Sequence, residues 1–108
     1  MRSPSSSAAA ALLRSLLART GLDQNRIVVR RFHSVDWQSL TFTGERHEIT
    51  LRIAGPDAAH AHALLRDGLA EAEWALDGHV VAEILIVGEE LEPDGSILVE
   101  IEALTLSD

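Results

Sequence analysis

The sequence predicts an α+β fold, a two-layer sandwich with two helices on one face of a four-stranded, mostly antiparallel sheet. Three observations carry this prediction. Leucines at helical spacing open the chain, alternating apolar strands follow in pairs, and an Ala/Leu helical stretch separates the pairs, giving the order α-β-β-α-β-β. A chain of 108 residues fits a single domain that buries roughly 65% of the surface its unfolded form exposes.

Residues 1–7 are Ser-rich and read as a disordered tail, which leaves 8–108 as the domain. From Ala8, the residues Ala9, Leu12, Leu13, Leu16 and Leu17 fall at helical spacing, and Gly21 supplies the stop. The same opening segment holds Arg, Ser and Ala without an acid, which is also the composition of a transit peptide. Its apolar run, Ala8 to Leu13, is too short for a secretory signal.

Strands are expected at Arg26 to His33, at Gln38 to Thr43 with Leu40 and Phe42 on one face, and at Glu48 to Ala54 with Ile49, Leu51 and Ile53 inward. Thr43-Gly44-Glu45-Arg46 is expected to form the hairpin turn. Ser34-Val35-Asp36 breaks the alternation, and is read as a bulge in one long strand in preference to a loop.

Gly55-Pro56-Asp57 opens the second helix, because Pro suits the first helical position and Asp complements the positive end of the helix dipole. Ala58, His62, Leu65, Leu69, Ala72 and Leu76 are its expected buried stripe, and Gly78 its end. Val80 to Val87 and Ile97 to Leu106 form the last hairpin around Glu92-Pro93-Asp94-Gly95-Ser96. Ala11-Leu12-Leu13-Arg14 recurs as Ala63-Leu64-Leu65-Arg66, which is either a trace of duplication or the reuse of common helical residues.

Composition excludes several functions. Without cysteine there is no disulfide, thiol catalysis or thiolate metal site. Every basic residue except the histidines is Arg and alanine abounds, which fits a GC-biased, bacterial genome. Residues 1–66 hold nine Arg against five acids, a balance of +4, whereas residues 67–108 hold twelve acids and no Lys or Arg. No basic face is available for phosphate, so no nucleic-acid partner is expected. No stretch approaches the roughly 18 apolar residues that cross a bilayer, so a cytoplasmic protein without a membrane partner is expected. The opposed charges of the two halves suggest Arg-bearing strands beside Glu-bearing ones.

Few residues offer chemistry. His60 and His62, two apart on a helix, point to opposite faces and cannot share a metal. No other motif supplies a ligand set, and neither a metal nor a cofactor is expected. His33-Ser34-Val35-Asp36-Trp37 concentrates a base, a hydroxyl, a carboxylate and an amphipathic ring. Together with Arg31 and His62 this cluster is the candidate ligand or partner contact, with no G-x-S-x-G elbow and no assigned catalytic residue. Trp74 reads as an interface anchor or as packing against the first helix. Glu89, Glu90, Glu92 and Asp94 read as a solvated acidic turn without EF-hand spacing.

Alternation places Thr50, Arg52, Glu83, Glu100 and Glu102 on the sheet face away from the helices, but also Leu85, Val87, Leu98, Leu104 and Leu106, the last two only if the phase holds past Ala103. A solvent-facing sheet should alternate to polar residues, so this face expects a cover. The reading is a non-enzymatic interaction module that forms a homodimer through Leu85, Val87 and Leu98. The alternative is a small-molecule-binding domain or minor enzyme with a pocket near His33, Asp36 and Trp37.

Overall fold

The computed structural model describes residues 6–22 and 26–107. Its elements are α1 (Ser7–Thr20), β1 (Ile27–Gln38), β2 (Thr43–Ile53), α2 (Ala58–Arg66), a 3-10 turn at Leu69–Glu71, β3 (His79–Leu91) and β4 (Ile97–Ser107). The expected α+β order, α-β-β-α-β-β, is the observed one. All strand pairs are antiparallel, in the spatial order β1-β2-β4-β3. Both helices lie on one side of the sheet and touch each other across it.

The expected first helix forms, with Ser6 as its N-cap: the Ser6 hydroxyl accepts from the Ala9 amide, and Gly21 closes the helix at φ 70. Ser7 therefore lies in the helix, while Met1 to Ser5 of the expected tail lie outside the described residues. Leu12 and Leu16 point into the core and are fully buried. They meet Leu65 of α2 and the inward rows of the sheet, Ile49, Leu51 and Ile53 on β2 and Val99 and Ile101 on β4. Each such side chain contributes about 1.5–3 kcal/mol by leaving water.

Three sequence expectations are corrected. First, β1 is one long strand as expected, but its bulge lies between Val29 and Arg31, and the stretch from Ser34 to Asp36 pairs regularly with His47 to Glu45. The bulge doubles the polar step between the inward residues Val29 and Phe32, so both arginines are accommodated without breaking the core row. Second, the strand expected at Gln38 to Thr43 does not form, because β1 ends at Gln38 and the hairpin turn is Ser39 to Phe42, closed by the Ser39 amide on the Phe42 carbonyl at 2.9 Å. Leu40 stands fully exposed on that turn, and Gly44 lies inside β2. Glycine is needed there because a Cβ would run into the Thr105 carbonyl of β4. Third, α2 ends at Arg66: Asp67 is extended, and Leu69 and Leu76 reach the core from a 3-10 turn and a loose segment. Ala72 is only half-buried.

The last hairpin forms as expected, with β3 running on through Glu89 and Glu90 to Leu91. Glu92 donates its amide to Ser96 at 2.8 Å, and Arg52 reaches into the turn to pair with Glu92 at 3.1 Å and Asp94 at 2.6 Å. The acidic turn is thus organised around an arginine from β2, with Ser96 hydrogen bonds holding the Asp94 carboxyl below its ordinary range.

The strand register also bears on the repeated tetrapeptide. The offset that takes Ala11 to Ala63 takes Ile49 to Ile101, and these two residues are direct cross-strand partners. The same offset takes the β1 bulge residue Arg30 to Ala82, the residue skipped in the first β3 register shift. Two α-β-β halves are therefore related by a pseudo-two-fold axis normal to the sheet, through the Ile49/Ile101 pair. Matching bulges are difficult to obtain from shared helical composition alone, and they favour duplication.

Gly44→Ala should destabilise the domain by about 3 kcal/mol, the upper part of the usual range for overpacking. Urea unfolding followed by circular dichroism measures this, and an unchanged midpoint would show that β2 and β4 are not so closely apposed.

Candidate functional site

The strand register divides the expected site residues between two faces. On β1, Arg31, His33 and Trp37 project to the open face, opposite Thr50, Glu48 and Gly44, while Asp36 projects to the helix side opposite Glu45. His62, on α2, is further removed: it hydrogen-bonds Glu89 of β3, at the sheet edge opposite β1. The five residues thus do not form one pocket. Asp36 and Trp37 do share a concavity, a cleft of about 450 Å3 at the end of the sheet, with Glu45, His79, Thr105 and Ser107. His33 and Arg31 line smaller depressions on the open face.

Beside the end cleft is a polar row that the sequence reading missed. The His47 ring, 1% exposed, bridges three strands. Its Nδ1 lies 2.7 Å from the Ser34 hydroxyl and its Nε2 lies 2.8 Å from that of Thr105. A neutral imidazole has one donor and one acceptor nitrogen, and a hydroxyl can turn to suit either, so the buried ring is fully satisfied. Phe32 packs edge-on against it at 5.9 Å. Burial pushes the His47 pKa down; Glu45 opposes this and His79 adds to it. The signal was in the alternation, since His47 stands two residues before Ile49 on the inward row.

The row resembles a hydroxyl and base in register, but Ser34 lines none of the clefts described above, whereas Thr105 does. Its evident role is to end the apolar core with paired polar groups under the start of α1, where Ala8 and Ala9 are buried and Ser6 donates to Glu45 at 2.8 Å. Trp74 packs against the core beneath Arg19 of α1, whose guanidinium carbon lies 5.8 Å from the ring centroid. Packing against the first helix is therefore the observed role of Trp74. Among the described residues, no group of three or more His, Asp or Glu side chains is arranged to hold a metal ion.

The open face is the larger feature. It carries Val28, Arg31, His33, Val35 and Trp37 from β1, and Arg46, Glu48, Thr50 and Arg52 from β2. From β4 come Leu98, Glu100, Glu102, Leu104 and Leu106, and from β3 Val80, Glu83, Leu85 and Glu90. Val87, at the second β3 register shift, lines the same face beside Arg31 and Glu100. The phase holds past Ala103, so Leu104 and Leu106 are both on this side. Val28, Val35, Val80, Leu85 and Val87 are exposed, Val80 and Val87 by nearly half.

Charge is unevenly distributed across this face, with Glu48 standing among the arginines of β1 and β2. Arginines stand on β1 and β2, and Glu83, Glu90, Glu100 and Glu102 stand on β3 and β4, where they join no ion pair among the described residues. The expected Arg-to-Glu pairing between strands is realised for Arg31 with Glu48 at 2.9 Å, and for Arg52 with the last turn. At the middle of the face the opposite holds, because Glu48 and Glu102 are direct cross-strand partners of like charge.

No described helix is long and apolar enough to cross a membrane. Comparison with protein-family models, curated proteins and solved structures finds no match for this chain.

The lowered His47 pKa fixes the sign of one pH effect. In the unfolded chain histidine titrates near pH 6.5. Below that value the unfolded state binds the proton more readily than the folded one, so the contribution of neutral His47 is complete above about pH 6.5 and is lost as the pH falls toward the folded-state value. Urea midpoints measured across this range should fall with acidification in the wild type and fall less steeply in His47→Gln. Parallel curves would remove His47 as the source.

Proposed function

We propose that the protein is a non-enzymatic interaction module whose working form is a pair of chains joined through the open sheet face. The observation that carries this reading is a sheet with one side packed under helices and the other bearing exposed Val28, Val35, Val80, Leu85 and Val87. A second copy suits this face because it carries both signs of charge, Arg31, Arg46 and Arg52 with Glu48 among them on β1 and β2, and Glu83, Glu90, Glu100 and Glu102 on β3 and β4.

The area is adequate. With residues about 3.3 Å apart and strands about 4.8 Å apart, four strands of about eleven residues present roughly 700 Å2 per copy. A pair would then bury about 1,400 Å2, inside the roughly 1,200–2,000 Å2 of a stable interface. Leu85, Val87 and Leu98 remain the apolar contacts proposed for it.

A second reading is favoured by one observation, the end cleft that brings Asp36 and Trp37 together with Glu45 and His79. Its size falls in the range of small-molecule sites, and two carboxylates beside an indole suit a cationic ligand. Titration with small amines, followed by amide chemical shifts, tests this; shifts clustered at Asp36, Trp37 and His79 support it, and their absence excludes it for that class.

For the leading reading, light scattering at tens of micromolar should report twice the chain mass of 11.7 kDa. Leu85→Glu should return the single-chain mass with an unchanged far-ultraviolet spectrum. A wild-type chain that stays monomeric at that concentration would exclude the proposal.

A further inference from the structure

We propose that the end cleft takes a linear zwitterion of the ω-amino acid type, its ammonium held between Asp36 and Glu45 on one side and its carboxylate held by His79 on the other. This rests on the cationic-ligand reading of the cleft given above and names the ligand class. It is independent of self-association, because the floor of the cleft is the helix side of the sheet.

The strand register shows how the cleft arises. Read across β1, β2, β4 and β3 on the helix side, the row Phe32, Ile49, Ile101, Ile86 is apolar. The next row holds Ser34, His47, Ala103 and Ile84, and the one after it Asp36, Glu45, Thr105 and Val81. Gln38 with Thr43, and Ser107 with His79, close the ladder. Helix α1 covers the apolar rows and starts above the polar ones: Ser6 donates to Glu45 at 2.8 Å, and the Ser7 hydroxyl lies 3.3 Å from His79 Nε2. The sheet thus runs on past the start of the helix, and its inner face beyond that point forms the floor of the cleft.

The floor has two unlike ends. Asp36 and Glu45 are direct cross-strand partners, so two carboxylates stand side by side at the β1 and β2 end. Such a like-charge pair is destabilising by itself, and one cation placed between the two relieves it. His79 stands at the opposite end, on β3, with Ser107 as its partner. When its Nε2 accepts from the Ser7 hydroxyl, Nδ1 carries the proton and donates to a ligand carboxylate. The first turn of α1, which touches His79 through Ser7, adds the positive end of the helix dipole. The residues that line this end, His79, Thr105 and Ser107, carry no negative charge. A carboxylate is therefore accepted at the His79 end and repelled at the other, and an ammonium is drawn to the acidic end.

Geometry sets the length of the ligand. Strands about 4.8 Å apart, and alternate residues about 6.7 Å apart along each strand, put the Cα atoms of the two ends about 14 Å apart. Side chains leaning into the cleft from both ends reduce this to about 8 Å, close to the separation of ammonium and carboxylate in an extended 6-aminohexanoate. The cleft, about 450 Å3, has room for a chain of that size.

Titration of the full chain with 6-aminohexanoate and with hexylamine, followed by amide chemical shifts, tests this. On a chain of net charge −8, a carboxylate weakens binding at any site that recognises the ammonium alone. The proposal expects the opposite: 6-aminohexanoate binds about tenfold more tightly than hexylamine, with shifts at His79 and Ser107 as well as at Asp36 and Glu45. His79→Ala should remove that advantage and leave hexylamine binding unchanged, which also shows that the variant is folded, whereas Asp36→Asn should weaken both ligands. If hexylamine binds as well as 6-aminohexanoate, with shifts confined to Asp36 and Glu45, the zwitterion is wrong while the cationic reading stands. An advantage that survives His79→Ala overturns it too. If neither ligand shifts the cleft residues at millimolar concentration, both readings of the cleft fall.

Discussion

The pairing of β2 with β4 is the interaction on which the rest of the structure depends. It joins the two α-β-β halves at the Ile49/Ile101 pair, and it sets the inward rows that α1 and α2 cover. Because side chains alternate along a strand, fixing Ile49, Leu51 and Ile53 against Ile101, Val99 and Ile97 inward also fixes Glu48, Thr50 and Arg52 outward. Slipping this pair by one residue would exchange a core of Ile, Leu and Val for a row of charges. Gly44 marks how close the two strands come at the end of the ladder, and Arg52 of β2, reaching into the turn between β3 and β4, ties the opposite end.

At one end of the core, His47 replaces packing with hydrogen bonds. Ser34, His47 and Thr105 form a continuous polar line across three strands under the start of α1, and each ring nitrogen has a hydroxyl partner. Such a row fixes register in a way that apolar residues cannot, since a slipped pairing would leave an imidazole buried without partners. Its energetic cost appears on acidification, when the ring must take a proton in a poorly hydrated place.

Much of this was legible from residue pattern. Helix α1 was readable because its leucines and Gly21 agree, although Ser6, read as tail, is its cap, and the last hairpin because Pro93-Asp94-Gly95 can do little other than turn. The phase of the open face was legible for the same reason that the core was. What escaped depended on contacts distant in sequence. Gly44 resembles a turn residue, but its smallness serves the approach of Thr105, far along the chain. Leu69 and Leu76 keep helical phase with Leu65 although the helix has ended, because a 3-10 turn and the loose segment after it deliver the same side chains to the core. His33 and Asp36 are neighbours in sequence and occupy opposite sides of the sheet, whereas Asp36 and His79, distant in sequence, share the end cleft.

The sheet is covered by helices on one side, and its other side bears exposed Val28, Val35, Val80, Leu85 and Val87 together with both signs of charge, which is the basis of the proposed self-association. The most direct measurement is an isotope-filtered nuclear Overhauser experiment on a mixture of labelled and unlabelled chains, reading methyl contacts between copies. The account expects methyl contacts between copies that involve Leu85, Val87 and Leu98 of the open face. Contacts between copies confined to the helix side, or no contacts between copies at all, would contradict it.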